Sequence, residues 1–289
     1  LVVTTDALVA GVHFLWPGDP RLIAVKALRK NLSDLAAMGA EPLAYSLALQ
    51  LPATCDTGWL RCFAAGLAET QAASGIHLSG GDSAGTPGPV TICITAFGLV
   101  PQGLALRRNG ARSGDGVWVS GTLGDAVTGL RLARDGGGDG LAAEDRLALI
   151  DRHWVPPLHL ELGQGLRGIA SAAMDVSDGL VGDLQHIART SGCDIRLEAA
   201  ALPLSGAFRR AQQQGLCRVE DALTGGDDYE LVFTVPVENR PRLLEIAKNL
   251  GVTVTEVGAV LASTSRPDVQ VWSATGERIV LNSPGWRHF

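Results

Sequence analysis

A chain of 289 residues with 46% hydrophobic and 19% charged side chains exceeds the usual single-domain size and holds enough apolar material for about two cores. Its formal net charge of −6 excludes a nucleic-acid surface built on basic residues, because phosphate backbones require a positive face. No apolar run approaches the roughly 18 residues that cross a bilayer. Cys55, Cys62, Cys93, Cys193 and Cys217 show neither disulfide nor zinc spacing and read as reduced, mostly buried thiols of a cytosolic protein.

The chain opens inside a β-rich run, so a natural N-terminal segment is expected upstream. Thr4-Thr5-Asp6 lies at the centre of that run, where burying hydroxyls and a carboxylate is costly unless they bind something. Asp6 is therefore a metal or phosphate candidate, against a surface strand end. His13 reads as a structural hydrogen-bonder or as a ligand. Asp19-Pro20 opens a long helix whose apolar positions Ile23, Ala27, Leu28, Leu32 and Leu35 run to Gly39. Asp34 falls toward its C-terminal end, where the macrodipole disfavours a carboxylate. Pairing with Lys30 would return only about a few tenths of a kcal/mol; a shared metal is the alternative.

Leu43, Tyr45, Leu47, Leu49 and Leu51 alternate on one face of a half-buried strand. Thr57 is expected to cap a second helix ending at Gly75. A strand over 76–79 then leads into an acidic turn, Gly80-Gly81-Asp82-Ser83, and another strand follows over 90–100. The pattern breaks across 101–114, which divides the chain into domains 1–110 and 111–289. Arg108, in this break, is a phosphate fork or a solvated linker arginine.

In the second half, a strand over 117–121 leads into a helix at Asp125. Gly163-x-Gly165-x-x-Gly168 follows no strand, so it is not a dinucleotide fingerprint, and no Walker motif exists. Residues 172–180 read strand, turn, helix, with Asp175 and Asp178 at a helix start where free N–H groups favour anionic oxygens. The pair either caps the helix or holds a hard divalent cation. Further helices are expected over 181–191, 204–214 and 239–250, and strands over 194–198, through 234, over 252–260 and near 269 and 279. Gly225-Gly226-Asp227-Asp228 forms a third acidic turn. The tail 283–289 ends in aromatics, Trp286 among them, that are frayed or form a stacking wall.

Asp6, Asp34, Asp82, Asp175, Asp178 and Asp227 all stand beside small or hydroxyl residues at expected element ends. Together they suggest a multi-metal phosphate site working by in-line displacement. Asn31-Leu32-Ser33-Asp34-Leu35-Ala36-Ala37-Met38-Gly39-Ala40, Gly80-Gly81-Asp82, Asp175-Val176-Ser177-Asp178-Gly179-Leu180 and Gly225-Gly226-Asp227-Asp228-Tyr229-Glu230-Leu231 closely resemble the thiamine-monophosphate kinase family. That family lies in the superfamily of aminoimidazole ribonucleotide synthetase and selenophosphate synthetase.

The resemblance implies two α/β domains: an N-terminal sheet that forms a barrel shared within a homodimer, and a C-terminal α/β sandwich. It also implies cytoplasmic, Mg²⁺-dependent transfer of the ATP γ-phosphate to thiamine monophosphate, with several ions bound. By position, Thr4, Thr5, Asp6, Asp34, Asp175 and Asp178 resemble the metal shell, with Asp34 and Asp178 catalytic. Gly81, Asp82, Arg108 and Ser177 resemble the ATP site, and His13, Asp227 and Trp286 the site for thiamine phosphate. The family's upstream Gly-Asp-Asp motif is absent from this chain, and Asp227 replaces its usual glutamate. A related enzyme with another acceptor and a non-catalytic nucleotide-binding assembly protein are the alternatives.

Overall fold

The computed structural model describes residues 1–263 and 266–286. The first half runs β1 (Val2–Val9), α1 (Pro20–Ala37), β2 (Glu41–Leu51), α2 (Thr57–Ser74), β3 (His77–Gly85) and β4 (Thr91–Leu99). Its four strands are ordered β1-β4-β2-β3. β4 is antiparallel to both neighbours, whereas β2 and β3 are parallel, a pairing that needs the α2 crossover.

Asp19 caps α1 by accepting the Arg21 N–H at 2.8 Å. The helix is apolar on two flanks because it lies between two layers. Leu28, Leu32 and Leu35 share one core with Ile92 and Ile94 of its own sheet and with Phe233 and Val235 of the second half. This sandwiching lets one helix carry side chains into a site built by both halves.

The second half comprises β5 (Gly116–Ser120), α3 (Asp125–Asp135), α4 (Ala143–Trp154), α5 (Leu160–Gly165), β6 (Ala172–Asp175), α6 (Leu180–Ser191) and β7 (Cys193–Glu198). It continues with α7 (Gly206–Gln213), α8 (Val219–Thr224), β8 (Leu231–Val235), α9 (Arg240–Leu250), β9 (Val254–Ala262), β10 (Val269–Trp272) and β11 (Arg278–Ile279). Among the described residues these strands form a seven-stranded sheet, β11-β10-β7-β9-β5-β8-β6. Strand alternation sends Trp118 and Phe233 toward α1, and Val117, Val119 and Val232 toward a second core with Leu184 of α6 and Phe208 of α7.

Several expectations need correction. Asp56, not Thr57, caps α2, accepting the Trp59 N–H at 2.8 Å. Gly80 to Ser83 is not a turn: β3 continues through it, and a Cβ on Gly81 would meet the Leu47 carbonyl oxygen at 1.8 Å. Glycine there permits strand pairing. Leu43 is exposed because the register with β4 shifts between Pro42 and Ala44. Of the five cysteines, Cys193 and Cys217 are buried, while Cys62 is exposed. Gly163 serves helix packing, since its Cβ would lie 2.0 Å from the Ala36 carbonyl oxygen. Among the described residues no helix is long and apolar enough to cross a membrane. Of the expected aromatic tail, residues 287–289 lie outside the described residues.

Candidate active site

Main-chain bonds zip two acidic loops together. β6 ends at Asp175, and the following loop donates the Val176 N–H to Glu230 O at 2.8 Å. In return, the Asp227 N–H reaches Ser177 O and the Tyr229 N–H reaches Val176 O, both at 2.9 Å. Asp227 and Tyr229 hold positive φ angles of 71° and 50°, conformations that non-glycine residues adopt rarely and mostly at functional sites. The linker joins on the outer side, where the Ala173 N–H donates to Arg107 O at 2.9 Å and so brings Arg108 alongside. The tail packs on the same loop, with the Trp286 N–H donating to Asp178 O at 2.9 Å.

α1 supplies the opposing wall. Ser33 donates to Asp175 Oδ2 at 2.7 Å and Thr4 donates to Asp34 Oδ2 at 2.5 Å, so β1, α1 and β6 meet through two short hydroxyl–carboxylate bonds. Burial and then the Asp175 charge push Asp34 up to about 7. Burial likewise pushes Asp175 up to about 6, with Asp183 and Asp6 adding repulsion. Lys30 does not pair with Asp34; its ammonium lies over the Tyr229 ring instead.

The N–H groups after β6 are not free for a phosphate. Asp183 Oδ2 accepts those of Ser177, Asp178 and Gly179 at 3.0, 3.1 and 3.2 Å. This fixes the loop from behind, and an anion must be held by side chains and cations in front of it.

Asp227 sits in a pocket of opposite charge. Lys26, fully buried, donates to its Oδ2 at 2.8 Å, and the Tyr229 hydroxyl donates to Oδ1 at 2.9 Å. Burial alone would raise this carboxyl, but Lys26 and Lys30 together hold it well below the usual carboxylate range. Burial and then Lys26 push His153 down to about 3, which leaves a neutral ring 3.2 Å from the ammonium.

The fold thus brings together Asp6, Asp34, Asp175, Ser177, Asp178, Asp227, Arg108 and the base of Trp286, whose side chain is 57% exposed. His13 follows β1 and accepts the Val9 N–H at Nδ1, 3.0 Å away, and its charge is felt at Asp6. Thr5 faces the opposite side of the strand from Thr4 and Asp6, where its hydroxyl pairs with Thr95 at 2.9 Å. Gly81 and Asp82 lie on β3, at the far edge of the sheet from β1, about 14 Å away at normal strand spacing. Sequence reasoning missed Lys26, His153, Ser33 and Asp183. The four-residue spacing of Lys26, Lys30 and Asp34 was a usable signal for the first.

The donor set suits a hard cation: carboxylates and hydroxyls crowd together with too little positive charge. Among the described residues no three carboxylate, histidine or cysteine groups converge closely enough to hold an ion alone. A pH test follows. With Asp34 at about 7 and Asp175 at about 6 against 3.8 for an ordinary carboxyl, the folded protein binds more protons than the unfolded chain across this window. Metal-free stability is therefore highest near pH 4 and falls as pH rises toward 7. In EDTA, the melting temperature should drop between pH 5 and pH 8, and Mg²⁺ should raise it most at pH 8; a flat profile counts against a shared cation site.

Residues 1–100 match AIR synthase related protein, N-terminal domain, and residues 112–269 match AIR synthase related protein, C-terminal domain. The thiamine-monophosphate kinase of Escherichia coli (strain K12) is 42% identical over 293 residues, 100% of this chain and 86% of that protein. That of Salmonella typhimurium is 45% identical over 291 residues, with the same coverage of 100% and 86%. The crystal structure of thiamine-monophosphate kinase from Stenotrophomonas maltophilia K279a matches with a TM-score of 0.85 at 41% identity, over 93% of this chain and 84% of that one. AaThiL complexed with AMPPCP and TMP gives 0.86 at 33% identity, over 99% and 86%. The chain belongs to the thiamine-monophosphate kinase family, within the AIR synthase related proteins.

Proposed function

We propose that this protein transfers the γ-phosphate of ATP to thiamine monophosphate, giving thiamine diphosphate and ADP. The observation that carries this reading is the zipped pair of acidic loops facing Asp34 and Thr4, in a chain whose relative binds AMPPCP and TMP. A terminal oxygen of the acceptor phosphate attacks the γ-phosphorus. A new P–O bond forms, the bond to the β–γ bridging oxygen breaks, and ADP leaves with that electron pair. No protein base is required, because the attacking phosphate oxygens are already largely deprotonated at neutral pH.

Thr4, Asp6, Asp34, Asp175 and Asp178 would hold Mg²⁺, which when bound neutralises phosphate charge. Arg108 and Ser177 orient the nucleotide. Asp227 and His13 face the acceptor, and Trp286 offers an aromatic wall for its cationic ring. Burial and fixed loops position the two phosphates in line and keep water from competing. We assign these roles to domains dividing near residue 110, in the cytoplasm, where five free thiols would stay reduced; cell fractionation checks the last point.

The same reading includes a homodimer. Among the described residues, one face of the N-terminal sheet lacks cover, with Val3 53% and Leu43 45% exposed. Asp82 pairs with Ala48, which is also exposed, so a second copy packed on that face would lie close to Asp82. The decisive assay is ADP formation by the full chain with Mg²⁺ and ATP, with and without thiamine monophosphate. Acceptor-dependent ADP release is expected, from particles of twice the 30.1 kDa chain mass by light scattering. ATP hydrolysis indifferent to the acceptor would remove the kinase reading, and a monomer would remove the homodimer.

A further inference from the structure

α1 presents Lys26, Lys30 and Asp34 at intervals of four residues, hence on one face. The two ends of this row are engaged: Lys26 holds Asp227, and Asp34 receives Thr4. Lys30 lies between them. Its ammonium stands 5.4 Å from the centre of the Tyr229 ring, whose hydroxyl donates to the other Asp227 oxygen. Among the described residues Lys30 makes no hydrogen bond and no ion pair, although it is half-buried beside an acidic site.

A lysine on an open surface swings to the nearest carboxylate. Here the ammonium stands over an aromatic ring that is itself fixed by Asp227 and by the Tyr229 N–H bond to Val176 O. The head is thereby held short of the acids on either side. The charges divide accordingly. That of Lys30 acts on Asp6 and Asp227, whereas that of Arg108 acts on Asp34 and His186. The site therefore offers two separate cations, one toward each of the phosphates it must align.

We infer that Lys30 is a specificity residue that binds the phosphate of the acceptor, on the Asp227 and Tyr229 side of the site, leaving Arg108 to the nucleotide. The inference rests on the proposed kinase reaction and adds to it a residue that separates phosphorylated from unphosphorylated thiamine. An ammonium is a compact point charge, so it rewards the phosphate without dictating its orientation.

The test uses the full chain, Lys30→Met, which keeps an unbranched apolar side chain and removes the charge, and Lys30→Arg, which restores a cation. KM is measured for thiamine monophosphate and for ATP, together with inhibition by thiamine, which lacks the phosphate. Lys30→Met should raise KM for thiamine monophosphate about 10- to 100-fold, the range for losing one charged hydrogen bond. KM for ATP and inhibition by thiamine should stay within about twofold, because neither ligand reaches this charge. Lys30→Arg should recover most of the loss. An unchanged KM for thiamine monophosphate, a loss in kcat alone, or an equal weakening of thiamine and thiamine monophosphate overturns the assignment while the kinase reading stands. A wild-type chain that shows no acceptor-dependent ADP release removes the kinase reading, and Lys30's role with it.

Discussion

Asp178→Asn is expected to lower kcat about a thousandfold or more while the fold persists, the scale of loss when a charged group that organises phosphoryl transfer is neutralised. The backbone of residue 178 is fixed independently of its carboxylate: its N–H bonds to Asp183 and its carbonyl accepts from Trp286. Asparagine keeps both bonds and the side-chain shape. What it removes is a negative charge that acts on Asp6, on Asp183 and on His186. Metal-free stability should therefore hold or rise, since a like charge beside Asp183 is gone. The Mg²⁺ concentration for half-maximal activity should increase. Steady-state kinetics over a Mg²⁺ series, with melting curves in EDTA, check all three. A kcat within tenfold of wild type would exclude Asp178 from the proposed cation site.

Lys26→Met should cost about 3–5 kcal/mol of stability, because it strands a largely buried carboxylate that its cation had compensated. For a chain of this size that corresponds to a drop in melting temperature of roughly 6–15 °C. The pH dependence separates this cause from simple repacking. In the wild type Asp227 is held below the usual carboxylate range, so its favourable contribution is present above about pH 4 and is lost only in stronger acid. In the variant, burial is no longer opposed by Lys26 and the carboxyl titrates higher. The deficit relative to wild type should then shrink as pH falls from 7 toward 4. Adding Asp227→Asn should recover a large part of the loss, as expected for directly coupled residues. A deficit below about 1 kcal/mol, or one unaffected by pH and by the second substitution, would mean the pair contributes little.

Features encoded over short spans were legible in the sequence. Apolar residues running into Asp175 and then Gly179 announced strand, loop and helix, and Asp19-Pro20 announced α1. Reading failed where the partner was distant or the backbone itself was the reason. Glycine-rich 80–83 read as a turn, yet it pairs with β2 because glycine lets β3 approach closely. The N–H groups at 177–179 read as open to phosphate, but a carboxylate slightly further along α6 folds back onto them. Thr4 and Thr5 read as one unit, although strand alternation sends them to opposite faces. Lys26 meets His153 and Asp227 across 127 and 201 residues, a contact that no local pattern encodes.

The two-flanked packing of α1 has a consequence during synthesis. The flank that rests on Phe233 and Val235 has nothing to rest on until those residues have been made. At ~5–20 residues per second, the roughly 200 intervening residues take on the order of 10–40 s. For that interval the nascent chain displays a long apolar ridge beside a sheet whose other face is also uncovered. The early half thus exposes apolar surface until then, and a truncated message would release a sticky fragment in which Asp34 has no second half to face.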